Sequence, residues 1–241
     1  KLLIKEKKTK TIILYPKNEY EKFIDKKIKL LKFKNYKIFK YNSDPRILTG
    51  EIEKITNYTQ RKRSLEIRKR FLKKQNDYKS KKELEILEKL YTLGVVNFDS
   101  VIVIDFGSSL KSVLSSLVYT DVDDETVLVA TVNQWFDESL FRQNLVENLY
   151  FPSVDMKQFQ KHNKDYFETF GTKPDEITIL AYDALGLIYY VWKKNNGINN
   201  INNFLIKDKI KGKIGTFEFK EKKVSQQLKI YKKENNKFIE Y

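Results

Sequence analysis

The stretch FDSVIVIDFG, residues 98–107, constrains the fold more than any other part of the chain. Its apolar run Val101–Ile104 does not alternate with polar residues. It therefore predicts a strand covered on both faces, as in the middle of a parallel α/β sheet. The strand ends at Asp105, Phe106 and Gly107, and ligands of open α/β sheets bind beyond the carboxyl ends of the strands. These three residues mark a candidate ligand site.

The same residues have a plainer interpretation, which the sequence leaves open. They can form a strand-to-helix turn in which Gly107 supplies backbone freedom. Ser108 or Ser109 would then cap the amino end of the following helix.

The predicted elements around this stretch follow the order of a doubly wound parallel sheet. Apolar runs predict buried strands at 10–15 and 126–131, alternation predicts an edge strand at 36–41, and a short last strand is expected at 148–151. Apolar residues at helical spacing predict helices at 18–33, 108–119 and 137–145. After a turn at 43–45, the same spacing predicts two helices within 46–93, with a break near 76–80. Alternating strands and helices favour parallel strands with right-handed crossovers.

Composition narrows the classes of function. The chain has 241 residues, of which 41% are apolar, enough for a packed core. It has no cysteine, which excludes disulfides, thiolate metal ligands and a cysteine nucleophile. His162 is the only histidine, and no P-loop, G-x-G-x-x-G or G-x-S-x-G motif occurs. The sequence therefore predicts neither an enzyme nor a cofactor. No apolar run approaches the roughly 20 residues of a membrane span.

Positive charge is concentrated in the helical region 46–93, although the whole chain carries a net charge of +15. Between Arg61 and Lys82 eleven basic residues stand against two acidic ones, a local net charge of 11 − 2 = +9. Such a cluster attracts phosphate, an acidic protein or an anionic polymer. The alternative is a solvated helix that needs only its apolar stripe. No interleaved aromatic residues or nucleic-acid motif occur, which argues against nucleic-acid binding. The candidate partner-binding residues are Arg61, Arg63, Arg68 and Arg70.

The pattern of polar and apolar residues changes after Pro152. A polar amphipathic helix is predicted at 155–170, a stop at 171–174, and a second helix at 175–194. The apolar residues of that second helix occupy more than one stripe, so we expect it to be buried on most sides. A turn at 195–203, a short helix at 204–210 and short strands at 216–219, 227–231 and 238–239 complete the chain.

Several stretches, taken with their order and spacing along the chain, resemble one protein family. FETFGTKPDEITILAYDALGLIYY at 167–190 resembles the F-x-x-x-[FY]-G-x-x-P motif and its following helix in type I periplasmic solute-binding proteins, a two-lobed group that includes branched-chain amino-acid receptors. Residues 211–219 are similar to the G-x-x-G-x-F-x-F turn of that group. FDSVIVIDFG with VATVNQW at 129–135, and TNYTQRKRSLEIRKR at 56–70, look most like its penicillin-binding protein activator branch.

The resemblance implies a type I periplasmic-binding fold with an incomplete second lobe. Residues 1–152 would form a doubly wound parallel α/β lobe with a basic helical insertion at 46–93. Residues 153–210 would be helices returning to the other lobe, and 211–241 closing short strands. The amino-terminal lobe of the family would be missing. The helix 177–191 would then lack its usual cover, so we expect it to pack on a second chain or a rearranged lobe, or to leave an exposed apolar patch.

The resemblance also implies, by position, which residues contact a ligand at the strand ends. They are Tyr15, Tyr20, Asp105, Phe106, Gly107, Asn133 and Trp135. An amino-acid receptor would have a carboxylate in the last of these loops, where Asn133 and Gln134 stand instead. Asp105 is the carboxylate able to replace it.

Two functions follow from the resemblance. The first is a non-enzymatic extracytoplasmic receptor of an ABC transporter, which holds a small polar solute or amino acid between two lobes and docks on a membrane transporter. The second is an activator-like envelope protein that regulates a peptidoglycan synthase by protein contact. Both imply a periplasmic location, with a lipid anchor through the missing amino terminus, and no cofactor.

Overall fold

The computed structural model describes residues 2–31, 35–75, 77–142, 145–206, 209–213, 215–220 and 223–241. The strands are β1 (Thr11–Pro16), β2 (Tyr36–Tyr41), β3 (Ser100–Val103), β4 (Leu128–Thr131), β5 (Leu149–Ser153), β6 (Ile210–Lys211), β7 (Thr216–Lys220), β8 (Lys223–Gln226), β9 (Lys229–Glu234) and β10 (Lys237–Glu240). The α-helices are α1 (Leu2–Lys5), α2 (Glu21–Ile28), α3 (Pro45–Ile55), α4 (Tyr58–Lys73), α5 (Tyr78–Glu88), α6 (Gly107–Tyr119), α7 (Met156–Phe170) and α8 (Glu176–Asn195). Short 3-10 helices span Glu138–Phe141 and Ile201–Phe204.

The chain divides into two compact units, which are described in turn. Unit 1 comprises Lys1–Val132, Glu138–Tyr150 and Lys232–Lys237. Unit 2 comprises Asn133–Asp137, Phe151–Tyr231 and Phe238–Tyr241.

The main sheet has the strand order β10-β9-β5-β4-β3-β1-β2. Strands β2, β1, β3, β4 and β5 pair in parallel, with β3 in the interior and β2 at the edge, as the sequence predicts. The strand β5 is not the last of the sheet, because β9 and β10 extend it. Those two strands are joined by Asn235 and Asn236, whose φ values of 49° and 54° suit a tight two-residue hairpin.

Helices cover both faces of the sheet in unit 1, which confirms the doubly wound prediction. Successive residues of β1 point to opposite faces. Ile12 and Leu14 join the core that includes residues of α3 and α6, whereas Ile13 and Tyr15 pack with Ile28 of α2. All six residues of β1 are buried. The apolar run of this strand therefore has the two-sided burial that its lack of alternation indicates.

Three helices, not two, follow β2. Asp44 caps α3 through its side chain, which accepts a hydrogen bond from the backbone nitrogen of Arg46 at 3.0 Å. The predicted break near 76–80 is the start of α5, where Asp77 accepts a hydrogen bond from Ser80 N at 2.9 Å, and residue 76 lies outside the described residues. The extra break is at Asn57, whose φ of 52° ends the α-helical path between α3 and α4.

Unit 2 is built on α7 and α8. The structure describes the whole of α8, and only Ile179 and Val191 are buried along it. The expectation of burial on most sides is therefore wrong, and the expectation of an exposed apolar patch is confirmed. The apolar and aromatic side chains of this α8 patch are between 38% and 71% exposed: Ile177, Leu180, Tyr182, Leu185, Ile188, Tyr189, Tyr190 and Trp192.

The small antiparallel sheet β6-β7-β8 belongs to unit 2. Asp183 of α8 accepts a hydrogen bond at 2.5 Å from the backbone nitrogen of Lys213, in the turn that joins β6 to β7. The helix predicted at 204–210 is absent from its described part, where a 3-10 helix ends at Phe204 and β6 begins at Ile210. Residues 207–208 lie outside the described residues.

Candidate functional site

The carboxyl edge of the parallel sheet in unit 1 holds a carboxylate paired with a buried phenol. The register aligns Val103 with Leu14 and Pro16 with Tyr41, so Asp105, two residues after Val103, lies level with Tyr41 across the end of β1. The Tyr41 hydroxyl donates to Asp105 Oδ2. The backbone nitrogen of Phe106 donates to Asp105 Oδ1 at 2.8 Å. Each carboxylate oxygen thus has a fixed donor.

Tyr41 is suited to hold this carboxylate in one orientation. Its side chain is fully buried. Burial, with the hydrogen bond to Asp105 as the next cause, raises the pKa of Tyr41 far above its usual range. The phenol therefore keeps its proton at physiological pH and acts as a permanent donor to Asp105.

Phe106 and Gly107 start α6 beside this pair. The Phe106 ring is 59% exposed, and its residue occupies the N-cap position without a side-chain hydrogen bond to the helix. The interpretation that Ser108 or Ser109 caps α6 is therefore wrong. Gly107 has a φ of 57°, which confirms its need for backbone freedom. The first backbone N–H groups of a helix have no partners within the helix.

Tyr15 and Tyr20 have different environments from this pair. Tyr15 is aligned with Lys40 on the α2 face of the sheet, opposite to the face of Tyr41. Its hydroxyl donates to Asp25, and Lys40 donates to Glu21 at 2.8 Å and to Asp25 at 2.9 Å. Burial and the Asp25 contact raise the pKa of Tyr15 to about 12. Because this side chain is fully buried and engaged, the prediction that Tyr15 faces a ligand is wrong.

Tyr20 immediately precedes α2 and is 60% exposed. It is accessible to a ligand.

Asn133 and Trp135 are part of unit 2. Asn133 Oδ1 accepts a hydrogen bond from the backbone nitrogen of Trp135 at 3.0 Å. Trp135 and Phe136 have positive φ values of 50° and 61°. The Trp135 ring lies 6.1 Å from that of Phe159, and Phe136 packs among further aromatic rings of unit 2. The loop after β4 is thus a tight turn anchored by aromatic contacts.

Arg61 is not a surface residue, so its prediction as a partner-binding residue is wrong. It is 8% exposed. Its guanidinium donates to the Thr92 hydroxyl at 2.7 Å and to the carbonyls of Asp121, Thr120 and Gly94 at 2.8, 3.1 and 3.2 Å. A buried guanidinium needs such partners. Arg61 therefore ties α4 to two loops of unit 1.

The other three arginines differ from Arg61. Arg63 and Arg70 are exposed. Arg68 forms a bidentate pair with Glu83 of α5, with two hydrogen bonds of 2.8 Å. Arg63 and Arg70 stay predicted partner-binding residues, whereas Arg68 already has an intramolecular partner.

Sequence reasoning missed Tyr41 as the partner of Asp105. The signal was available in principle, because aligning the ends of neighbouring parallel strands brings Tyr41 level with Asp105. Within the described ranges, no group of three metal-ligating side chains occurs. In the same part of the chain, no helix combines the length and the apolar content that crossing a bilayer requires.

Comparison with known proteins identifies the fold. No protein-family model and no curated protein sequence matches the chain. Among solved structures it is similar to a branched chain amino acid ABC transporter periplasmic ligand-binding protein from Burkholderia xenovorans LB400, with 9% identity, a TM-score of 0.59, and coverage of 100% of this chain and 59% of that one. It is also similar to an extracellular ligand-binding receptor from Verminephrobacter eiseniae, with 12% identity, a TM-score of 0.62, and coverage of 99% and 62%.

A third similar structure is a leucine-, isoleucine-, valine-, threonine- and alanine-binding protein from Brucella ovis, with 10% identity, a TM-score of 0.53, and coverage of 95% of this chain and 54% of that one. The chain has the type I periplasmic-binding fold. It spans less than two thirds of the length of each of these three proteins.

Proposed function

We propose that the chain is the ligand-binding part of an extracytoplasmic solute-binding protein of an ABC transporter, and that it binds its solute without catalysis. The observation that carries the proposal is the oriented Asp105 carboxylate at the carboxyl edge of a parallel sheet. This is the edge at which α/β folds bind ligands. The shared fold of the ligand-binding receptors supports the same function. A periplasmic location, with a lipid anchor outside this sequence, is part of the proposal.

The chemistry of this edge favours an amino acid with an apolar side chain. The Asp105 carboxylate can accept hydrogen bonds from an ammonium group, and the Tyr41 hydroxyl and the Phe106 N–H fix its orientation. The uncapped amino end of α6 offers N–H groups and a positive dipole end to a carboxylate. The exposed ring of Phe106 offers an apolar surface between the two. Tyr20, Asn133 and Trp135 stay predicted ligand contacts.

Titration calorimetry with the whole chain tests this proposal, with L-leucine, L-valine and L-alanine as probes. We expect Asp105→Asn to weaken binding about 10- to 100-fold, because a charged hydrogen bond contributes roughly 1.5–3 kcal/mol. The matched control is Asp99→Asn, which changes the carboxylate at the opposite end of the same strand. Asp99 accepts hydrogen bonds from Thr9 N at 2.7 Å and Lys10 N at 3.0 Å, away from the proposed site. Equal affinities of the two variants, or no binding at millimolar concentration, would refute the proposal.

A second candidate function is regulation of a peptidoglycan synthase by contact through α4, and a mixed basic and apolar surface supports it. Arg63, Ile67, Arg70 and Phe71 recur at helical spacing and form what we call the α4 surface. Ile67 is 56% and Phe71 52% exposed, although both are large apolar residues. Arginine beside exposed apolar and aromatic groups is typical of protein interfaces.

Capture of the extracytoplasmic domain of a peptidoglycan synthase by the immobilised chain tests this candidate. We expect Arg63→Glu with Arg70→Glu to abolish capture. A control with Lys22→Glu and Lys26→Glu on α2 makes the same change in net charge and should leave capture intact. Unchanged capture by the α4 variant, or equal loss in both variants, would exclude this surface.

A further inference from the structure

A second concave region lies at the opposite, amino edge of the sheet in unit 1. It is a groove of about 1080 Å³, bordered by the segments that lead into β1, β2 and β3 and by the end of α3. This volume slightly exceeds the usual range for small-molecule sites, which is about 300–1,000 Å³. The groove is distinct from the Asp105 site, because Tyr41, Asp105 and Phe106 are not among its lining residues.

The floor of the groove is apolar. Ile12, Phe39, Ile55 and Phe98 line it, and all four belong to or pack against the main core of unit 1. The register pairs Leu14 with Phe39 and Ile12 with Lys37, so these side chains share the α3 face of the sheet. A ring or short chain laid on this floor would cover apolar surface.

Four lysines line the groove, and one of them, Lys40, is paired with Glu21 and Asp25. The other three, Lys10, Lys37 and Lys54, form its basic rim. All three are exposed, and in the part of the chain that the structure describes their ammonium groups make no ion pair. Alternation places Lys10 and Lys37 on the face of Ile12. Glu51, the acidic residue that lines the groove, is already engaged: it accepts a hydrogen bond from Asn42 N at 2.7 Å and lies 3.5 Å from Lys17 Nζ.

We propose that this groove binds an amphipathic organic anion, with its aromatic or aliphatic part on the apolar floor and its carboxylate or similar anionic group among the three lysines. Like charges held at one rim repel each other, and an anionic ligand removes that repulsion. An inorganic anion bound at the lysines would leave the apolar floor uncovered and most of the groove unfilled. This site is independent of the proposed solute site and of its ligand.

Titration calorimetry of the whole chain tests the groove with two probes of the same ring system, naphthalene-2-carboxylate and the uncharged naphthalene-2-carboxamide. We expect the carboxylate to bind about tenfold more tightly than the amide. The variant Lys10→Gln, Lys37→Gln and Lys54→Gln should remove that preference, because each exposed charge contributes roughly 0.2–1 kcal/mol. A bulky side chain at the mouth, Asn97→Trp, should weaken both probes.

A matched control separates the groove from the general positive charge of the chain. Lys22→Gln, Lys79→Gln and Lys89→Gln remove the same charge from exposed positions away from the groove, and we expect their affinities to stay within about twofold of the parent. The proposal is overturned if the carboxylate does not bind at millimolar concentration or if the amide binds equally well. It is also overturned if the two triple variants lose the same affinity.

Discussion

Replacing Arg61 by alanine tests the conclusion that this arginine holds unit 1 together. The substitution removes the donors of four hydrogen bonds. The Thr120 carbonyl and the Thr92 hydroxyl belong to residues that are 0% and 4% exposed, so water cannot easily replace the guanidinium there. Gly94 is exposed and Asp121 is partly exposed, so their carbonyls can turn to solvent.

The expected cost follows from this difference. The buried Thr120 carbonyl, left without the guanidinium, costs about 1–3 kcal/mol. The Thr92 hydroxyl still donates to Asp121 Oδ2, so it loses only the hydrogen bond that it accepts, which contributes about 0.5–1.5 kcal/mol. Part of that loss is offset, because the parent must bury a charged guanidinium, and this burial lowers the pKa of Arg61. We expect Arg61→Ala to reduce the free energy of unfolding by about 2 kcal/mol. At a urea dependence of roughly 2 kcal/mol per molar, the midpoint falls by about 1 M.

Urea unfolding followed by far-UV circular dichroism measures this change. Arg63→Ala is the matched control, because Arg63 lies on the same helix but is exposed, and we expect a change within about 0.5 kcal/mol. If both variants unfold at the parental midpoint, Arg61 does not stabilise unit 1. The assignment of this residue to the interior would then be wrong.

Three further predictions concern unit 2. Burial lowers the pKa of His162, so stability that is present at neutral pH should be lost as the pH falls from about 7 towards 5. His162→Phe should flatten this pH dependence of the melting temperature, measured by tryptophan fluorescence. The same pH dependence in parent and variant would contradict the prediction. Gly212→Ala should lower the melting temperature by several degrees, because its Cβ would lie 2.6 Å from Asp183 Oδ2, and an unchanged value would contradict that contact. Ile177→Lys with Leu185→Lys should reduce binding of an apolar fluorescent dye, and undiminished fluorescence would show that the α8 patch is not accessible.

The sequence predicts well those features of the fold that depend on local pattern. The strands β1 and β3 follow from uninterrupted apolar runs. The helices α7 and α8 follow from apolar residues at helical spacing between Asp155 and Asn195. The break at Asn57 was missed, because a single left-handed residue within a helical pattern leaves no periodic signal. Local pattern also does not specify which strands pair, so β9 and β10 were not assigned to the main sheet.

The candidate site is less predictable, because its contacts connect distant parts of the chain. Asp105 was identified from its position after a buried strand, but its contact with Tyr41 depends on the register of two strands on either side of β1. The sequence predicts Arg61 as a partner-binding residue within a basic cluster. Its burial depends on loops 31 and about 60 residues away, which no local property of α4 reveals.

The central claim is that the carboxyl edge of the parallel sheet in unit 1 binds an amino acid through Asp105. A crystal structure of the chain grown with L-leucine tests it most directly. We predict the ligand ammonium within about 3 Å of the Asp105 carboxylate and the ligand carboxylate at the amino end of α6. L-leucine bound elsewhere, with no atom in contact with Asp105, would contradict the claim.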